Sequence, residues 1–198
     1  MALPVRTPIT KIRARLTAAV IAVLGLCLAS TNAAAADQSL EYGVKAAFLA
    51  KFGLFVDWPE TTFSSPNQPF LLCILGDDPF GSAFDKISGQ QVVKGRKVEV
   101  RRLKTVGKDS GCQILYVATS ESARVGQILE SLRGNGTLTV TDGRSATEQA
   151  GMINFVIKED RVRFDIDEEM AAQNGLFISS TLLGLAVNVK RRQSREVR

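Results

Sequence analysis

The first 36 residues have the pattern of an export signal, so the folded protein is expected to form from the rest of the chain. A basic segment ending at Arg15 precedes an apolar run from Leu16 to Ala29, and the small residues from Ala33 to Ala36 supply the Ala-x-Ala pattern that a signal peptidase cleaves. The apolar run is too short to cross a bilayer easily. We therefore expect residues 1–36 to be removed and residues 37–189 to fold as one domain outside the cytoplasm, with an uncleaved membrane anchor as the alternative.

The net charge of the chain, +5, overstates how basic the folded part is. Of the 25 basic residues, four lie in the export signal and five in the tail at residues 190–198, where Glu196 is the one acid. Removing both segments leaves 16 basic and 19 acidic residues. This balance offers no basic face suited to nucleic acid, so no nucleic acid partner is expected. The basic tail is expected to be solvated, with contact to anionic lipid or an acidic partner as the alternative.

The chain contains no histidine, which excludes the commonest general base, the usual serine and cysteine triads and most zinc sites. The adjacent Asp77 and Asp78 lie in a predicted turn, where a helix cap is favoured over an acid–base pair. The acidic cluster from Asp165 to Glu169 is favoured as the start of a helix over a weak calcium site, because no calcium-loop spacing is present. We therefore expect no catalytic residue, no metal site and no cofactor, and we predict that the protein is not an enzyme.

Helix and strand periods alternate along the middle of the chain. Strands are predicted at Phe70–Leu75, Lys97–Leu103, Gln113–Ala118 and Thr137–Thr141. A helix is predicted after the first strand, with Asp78 as its cap and Pro79 as its first residue, and another from Ser122 to Leu132. This rhythm predicts an α/β fold: a three-layer sandwich with a mostly parallel central sheet and helices on both faces.

Further helices are predicted at both ends of the domain. A set of residues at three- and four-residue spacing predicts an amphipathic helix over Leu40–Val56. Most of the set is apolar, for example Val44 and Ala47, and it also includes Lys51. At the other end, Met170–Val189 is predicted to be a closing helix. Polar residues interrupt that segment, which favours a core helix over a membrane span.

An antiparallel hairpin is predicted before the closing helix. Its strands are Met152–Ile157 and Val162–Ile166, and the short polar segment between them suits a tight turn. The sheet is therefore expected to be mixed.

Two cysteines, Cys73 and Cys112, remain after removal of the signal. An even pair in an oxidising compartment is more often bonded than free. If the first three strands take the order 2-1-3, the strand that holds Cys73 lies beside the strand that Cys112 introduces, and a disulfide is reachable. A structural bond is favoured over a redox switch, which would need an exposed or strained disulfide.

Several blocks of sequence, in order and at matching spacing, resemble the YfiR family of periplasmic regulators. The opening blocks are Tyr42–Leu49 and the segment Phe55-Val56-Asp57-Trp58-Pro59. The later blocks are Leu72–Gly81, Cys112–Tyr116, Leu138–Asp142, Gly151–Phe155 and Val162–Ile166. Each block alone is weakly specific, but together they extend from Leu40 to about Val189.

The resemblance implies a protein that acts by binding. It is expected to reside in the periplasm, to bind the periplasmic portion of an inner-membrane diguanylate cyclase and to repress cyclic-di-GMP synthesis, so that its loss favours biofilm. Membrane contact is expected only through this partner, and a homodimer is left open. Candidates for the partner-binding patch are the aromatic residues Trp58, Phe63, Phe80 and Phe177, although a place in the core is favoured for each of them.

Two other functions stay open. A periplasmic small-ligand-binding domain that signals to a membrane sensor is the runner-up. Its ligand would occupy the crevice beyond the carboxyl ends of the strands, near Gly76–Phe80 and Ala118–Glu121. An unrecognised enzyme comes last.

The chain departs from the family pattern at one point. The best-known member has a second cysteine pair late in its chain, whereas this chain has no cysteine after Cys112 and carries Ser145, Ala146 and Thr147 in the corresponding region. The resemblance therefore implies the Cys73–Cys112 bond, but it does not imply redox control through a later pair.

Overall fold

Apolar runs in the middle of the chain form the centre of an eight-stranded sheet. The computed structural model describes residues 38–143 and 150–192, so the predicted export signal and residues 193–198 of the predicted tail lie outside the described residues. In chain order, the described elements are α1 (residues 38–52), β1 (Val56–Asp57), β2 (Phe70–Leu75), α2 (Ser82–Gly89), β3 (Val92–Val93), β4 (Arg96–Leu103), β5 (Ile114–Val117), α3 (Val125–Ser131), β6 (Leu138–Asp142), β7 (Ile153–Lys158), β8 (Arg161–Asp167), α4 (Glu168–Gln173), β9 (Phe177–Ile178), α5 (Ser180–Leu183) and β10 (Val189–Lys190). Short 3-10 helices lie at Gly53–Phe55, Glu60–Thr62, Lys108–Ser110 and Thr119–Arg124.

The sheet is mixed and mostly parallel. Its strand order is β10-β8-β7-β6-β5-β2-β4-β3. Strands β4, β2, β5, β6 and β7 run parallel to one another, β7 and β8 form an antiparallel hairpin, and β10 runs parallel to β8. A separate antiparallel ladder joins β1 to β9. The predicted class, with its 2-1-3 order for the first three long strands and its late hairpin, is confirmed.

Helices cover both faces of the sheet. On one face, Leu72 of β2 belongs to the same hydrophobic core as Leu49 of α1 and Phe84 of α2. On the other face, Leu71 belongs to a second core with Ile128 of α3. Because successive side chains of a strand point to opposite faces, the fully apolar sequence of β2 is what a strand between two helical layers requires. This arrangement is the predicted three-layer sandwich. From Tyr42 onward the chain forms one compact unit, whereas the unit Met1–Glu41 has described residues only at 38–41.

Helix α1 ends earlier than predicted. The α-helix stops at residue 52, a 3-10 turn follows at Gly53–Phe55, and Val56 begins β1. Val56 pairs in register with Ile178 of β9, and the Ser179 N–H donates a hydrogen bond to the Phe55 carbonyl at 2.9 Å, so this segment belongs to a strand ladder and not to a helix. The predicted end at Val56 is therefore wrong.

The buried side of α1 also differs from the prediction. Ala46, Leu49 and Phe52 are buried, whereas Val44 and Lys51, which the spacing assigns to the buried face, are exposed. The helix has apolar residues on more than one side, and periodicity cannot tell which side meets the sheet. As a result, the spacing did not predict that Lys45 is buried.

Helix α2 begins later than predicted, at Ser82, and Gly81 is its N-cap residue. The Asp78 carboxylate accepts a hydrogen bond from the Phe80 backbone N–H at 2.7 Å. It also forms an ion pair with Arg102 at 2.8 Å. Asp78 thus stabilises the turn that precedes the helix and does not cap the helix itself. The prediction of Asp78 as cap and Pro79 as first residue is wrong, because an aspartate closes such a local turn as readily as it caps a helix.

The segment Met170–Val189 is not the single closing helix that its composition predicts. Helix α4 ends at Gln173, Gly175 has a positive φ of 76°, and β9 then pairs with β1. The Ser179 hydroxyl caps the short helix α5 by accepting a hydrogen bond from the Leu182 N–H at 3.3 Å. The polar residues that interrupt the apolar pattern therefore mark real breaks in the helix.

The chain re-enters the sheet after α5. Lys190, the first residue of the predicted tail, belongs to β10, and its amino group lies 3.2 Å from Asp167 and 3.0 Å from Glu169. The pKa of Lys190 is raised, chiefly by the Glu169 hydrogen bond and then by Asp167. The beginning of the tail is thus a sheet strand whose charge is balanced by neighbouring carboxylates.

A disulfide joins Cys73 of β2 to Cys112, which lies two residues before β5, with 5.9 Å between the two Cα atoms. Cys73 pairs in register with Leu115, so the parallel pairing of β2 and β5 brings the two cysteines together. Both cysteines are buried in the core beneath α3. This burial favours the structural bond over the redox switch, because a switch needs access for a reductant.

We expect that Cys73→Ser or Cys112→Ser lowers the free energy of unfolding by about 4 kcal/mol, because the bond restricts a long loop of the unfolded chain. Denaturant titration of each variant measures this loss, and non-reducing peptide mapping of the unaltered protein should recover the linked pair. Because the sulfur atoms are buried, dithiothreitol should reduce the bond only under conditions that also unfold the protein. Two free thiols in the folded protein would contradict the assignment.

Candidate functional site

The two loops predicted to form a ligand crevice contact each other instead. The backbone N–H of Asp77, after β2, donates a hydrogen bond to the Ser120 hydroxyl, after β5, at 2.9 Å. Gly76 has a φ of 91°, and a Cβ at this position would lie 2.5 Å from the Ser120 Oγ and 2.7 Å from Glu121 Cγ. This close approach occurs at the carboxyl ends of β2 and β5, where the strand order reverses and doubly wound folds bind ligands.

Aromatic rings fill the space beside these loops. The ring of Phe80 lies 4.8 Å from Tyr116 of β5, 5.0 Å from Phe84 of α2 and 5.9 Å from Tyr42 of α1, measured between centroids. The contacts of Phe80 with Tyr116 and Tyr42 are edge-on and the contact with Phe84 is tilted, and aromatic pairs at these centroid distances attract one another. The cluster therefore joins α1 and α2 to the carboxyl edge of the sheet.

A buried ion pair lies next to the aromatic cluster. The Lys45 Nζ of α1 is 2.6 Å from Asp142 Oδ1 at the end of β6, and the two side chains are 2% and 3% exposed. The Tyr116 hydroxyl donates a hydrogen bond to the other carboxylate oxygen, Oδ2, at 3.0 Å. The Lys45 amino group also lies 4.7 Å from the centre of the Tyr42 ring. Cation, carboxylate and hydroxyl thus satisfy one another in the interior, as buried charges require.

Burial raises the pKa of the Tyr116 hydroxyl far above its usual range, and the negative charge of Asp142 raises it further. The hydroxyl therefore stays protonated in the folded protein and acts as a donor to Asp142. A raised folded-state pKa means that its contribution to stability is present below the unfolded-state pKa, about 10, and is lost as the pH rises above that value. At neutral pH the Tyr116 hydroxyl is therefore a hydrogen-bond donor within the cluster.

Sequence reasoning did not select Lys45, Tyr116 or Asp142. Once the fold is known, two features of the sequence point to Lys45 and Asp142. Lys45 is one helical turn from the buried Leu49, so it falls on the buried face of α1 once that face is known. Asp142 is the last residue of the buried strand β6, at the strand end where an interior carboxylate can meet a helix.

A second cation fixes the loop after β2 from outside the core. The Arg102 guanidinium of β4 donates to Asp78 at 2.8 Å and to both carboxylate oxygens of Asp85 in α2, at 2.9 and 3.1 Å. The Asp85 hydrogen bond is the largest cause of its raised pKa. The loop between β2 and α2 is thereby held in place on both sides.

The four aromatic candidates do not form one patch. Phe80 lies in the cluster just described, at the carboxyl edge of the sheet. Trp58 packs edge-on against Phe70 at the amino end of β2, at 5.1 Å, and Phe63 lies beneath the Arg96 guanidinium, at 4.0 Å. Phe177, in β9, is the most exposed of the four at 60%. Trp58, Phe63 and Phe80 are partly buried, so Phe177 is the candidate that offers most surface to a partner.

A cavity of about 320 Å³ lies near the amino edge of the sheet, between α3 and α4. Leu129 and Met170 form part of its apolar wall, and Thr139 and Asn174 are among its polar groups. The Thr139 hydroxyl accepts a hydrogen bond from the Met152 N–H, and Asn174 accepts one from the Gly134 N–H. These polar groups are thus already engaged within the protein. The cavity lies at the opposite edge of the sheet from the predicted crevice.

The acidic cluster from Asp165 to Glu169 marks the start of a helix, as its composition favours. Asp167 is the N-cap residue of α4 and accepts a hydrogen bond from the Met170 N–H at 2.7 Å. Asp165 accepts hydrogen bonds from Asn188 at 2.9 and 3.1 Å. Within residues 38–143 and 150–192, no group of three or more cysteine and acidic side chains is placed to hold a metal ion.

The sequence matches the profile of the YfiR/HmsC-like proteins over residues 42–187, from the middle of α1 to the residues before β10. The chain belongs to the YfiR/HmsC-like family. The matched segment contains every element of the site described above, including Lys45, Tyr116 and Asp142. The predicted resemblance is confirmed.

One solved structure shares a more distant likeness. It is described as the ABC domain in complex with L-Trp from Streptococcus pneumonia, and it is 11% identical to this chain with a TM-score of 0.45. The match covers 61% of this chain and 55% of that one, so the chain spans about half the length of that structure. A likeness of this strength supports no statement about function.

Removing one partner of the buried ion pair should destabilise the folded protein. We expect Asp142→Asn to lower the free energy of unfolding by about 3–5 kcal/mol, because Lys45 would remain buried without the carboxylate. The double variant Lys45→Met with Asp142→Leu should recover most of this loss. The control is Glu130→Gln, which breaks an exposed ion pair with Arg133 and should cost less than about 1 kcal/mol. Urea denaturation measures all three, and a loss in Asp142→Asn no larger than the control's would contradict the account.

Proposed function

We propose that this protein is a periplasmic regulator that binds the periplasmic portion of an inner-membrane diguanylate cyclase and represses cyclic-di-GMP synthesis. Membership of the YfiR/HmsC-like family supports the general role, a periplasmic regulator in diguanylate cyclase signalling. The binding of a cyclase and its repression are our proposals. So is the assignment of residues 1–36 as a cleaved export signal, and none of the described helices is long and apolar enough to span a membrane.

The observation that carries the proposal is the occupation of the strand-end site by the protein's own side chains. In doubly wound folds, a ligand binds beyond the carboxyl ends of the strands, where the strand order reverses. Here the Ser120 hydroxyl accepts a hydrogen bond from the Asp77 N–H across that position, Phe80 packs beside it, and the Lys45–Asp142 pair holds α1 over the adjoining strands. A partner would therefore meet the outer surface of the domain, which suits regulation by protein contact.

Repression by binding needs no reaction. If the regulator binds the inactive conformation of the cyclase more tightly than the active one, it shifts the equilibrium by the difference between the two binding free energies. A tenfold preference for the inactive conformation corresponds to about 1.4 kcal/mol. A preorganised surface favours such binding because little ordering is required on association, and the anchoring of α1 provides a rigid scaffold for it.

A disulfide in the core fits action outside the cytoplasm. Disulfides persist in oxidising compartments such as the bacterial periplasm and are rare in the cytosol. The Cys73–Cys112 bond ties the two strands that flank the filled strand-end site. The bond would thus form after export and preserve the shape of the binding surface.

Deletion of the gene in its host should raise cyclic-di-GMP, provided that the cyclase partner is intact. The effect should disappear when the periplasmic portion of that cyclase is removed, because the signal must pass through it. Cyclic-di-GMP is measured by mass spectrometry of cell extracts, and a plasmid copy of the gene serves as the control by restoring the low level. If deletion does not raise cyclic-di-GMP in a host whose cyclases are intact, the proposal is wrong.

The cavity between α3 and α4 favours a second function, a periplasmic small-ligand-binding domain that signals to a membrane sensor. Its volume of about 320 Å³ is at the lower end of the range for small-molecule pockets. Screening a library of small metabolites by thermal shift tests this alternative, with Met170→Trp as the variant that fills the cavity. A metabolite that stabilises the unaltered protein but not this variant would support it.

A further inference from the structure

The β7–β8 hairpin has three cations on one face. Lys158 pairs in register with Arg161, and Val156 pairs with Arg163. Because directly opposite residues of an antiparallel pair share a face, these three basic side chains lie side by side. We call Lys158, Arg161 and Arg163 the basic hairpin face.

The basic hairpin face points away from the core. Phe155 and Phe164, which also pair with each other, are buried on the opposite side of the same hairpin. Lys158, Arg161 and Arg163 are all exposed. No ion pair found within residues 38–143 and 150–192 involves any of the three, although other surface cations, such as Lys190 and Arg191, do have acidic partners.

Folding alone does not call for this arrangement. Two like charges directly opposite each other destabilise an antiparallel pair, and the Lys158–Arg161 pair is of this kind. The turn itself is formed by Glu159 and Asp160, with φ angles of 52° and 55° as in a two-residue hairpin turn, and its geometry does not involve the three cations. A local cost without a folding benefit indicates a surface kept for another purpose. The slightly acidic balance of residues 37–189 had concealed this cluster, because net charge carries no information on position.

We propose that the basic hairpin face binds an acidic segment of a protein partner. Guanidinium groups match carboxylates in two-point hydrogen bonds, and two arginines with a lysine beside them could engage successive carboxylates along a chain. The inference rests on the proposed function in one respect: the partner we expect is the periplasmic portion of the cyclase.

The hairpin turn decides between a protein and a lipid surface. Glu159 and Asp160 are exposed at the tip, so an anionic membrane approached by the tip would meet two negative charges before the cations. A protein segment can lie flat along the face of the hairpin and avoid them. Charge complementarity therefore favours an acidic polypeptide over anionic lipid.

The test removes the charges and keeps the hairpin. The hairpin variant is Lys158→Gln with Arg161→Gln and Arg163→Gln. The matched control is Lys97→Gln with Arg101→Gln and Lys104→Gln, which removes the same charge from exposed positions on β4 and the loop after it. A third variant, Lys158→Arg, keeps the charge and both guanidinium groups of Arg161 and Arg163, and it should bind like the unaltered protein.

Binding is measured by fluorescence anisotropy with a labelled polyglutamate peptide and with the periplasmic portion of the cyclase found by the deletion test. We expect the hairpin variant to bind both about tenfold more weakly, with control changes of less than about twofold. Added salt should weaken binding of the unaltered protein more than that of the hairpin variant. The melting temperature of the hairpin variant should be equal or higher, because the like-charge pair is gone.

Three results would overturn the inference. They are equal binding by the hairpin variant and the unaltered protein, an equal loss in the control, and binding to vesicles of phosphatidylcholine and phosphatidylglycerol in equal parts without binding to the peptide. Complementation of the deletion strain separates this inference from the proposed function. If deletion raises cyclic-di-GMP and the hairpin variant returns it fully to the low level, the hairpin inference fails while the proposed function stands. If deletion has no effect, the proposed function fails, and the peptide titration still decides the role of the hairpin.

Discussion

A lysine and an aspartate buried together fix helix α1 over the sheet. The Lys45–Asp142 pair joins the first helix to the end of β6, residues that are far apart in sequence, and the Tyr116 hydroxyl completes the hydrogen bonding of the carboxylate. Buried ion pairs contribute little net stability against an apolar alternative, but removing one partner is costly. We infer that the pair acts mainly by fixing the position of α1, because the Lys45–Asp142 contact forms only when Lys45 faces the end of β6.

The position of α1 determines what the domain can bind. With α1 anchored and Phe80 packed against Tyr116, the strand-end site of this doubly wound fold is occupied from within. The disulfide between Cys73 and Cys112 joins the adjoining strands beneath the opposite helical layer. Both faces of the sheet are thus braced around the same pair of strands, β2 and β5. Such a domain suits a regulator that presents a fixed outer surface to a partner.

The sequence was sufficient for the long strands, because apolar runs such as Phe70–Leu75 allow few other structures, but it did not predict the short strands β1, β3, β9 and β10. It was insufficient wherever a polar side chain could serve two purposes. Asp78 was predicted to cap a helix and instead closes a turn with Arg102, and the segment after Met170 divides because Gly175 and Ser179 break the helix. The buried ion pair escaped prediction because it joins residues distant in sequence, whose contact only the tertiary structure reveals.

Hydrogen exchange of the backbone amides tests the central claim most directly. It is measured on the full processed chain, free and bound to the periplasmic portion of the cyclase. Our account predicts that the amides of α1 around Lys45 and of β6 exchange slowly in both states, because the anchored helix stays in place, while protection increases on the outer surface of the domain. Faster exchange of α1 on binding would contradict it, because the helix would then leave its site to admit the partner.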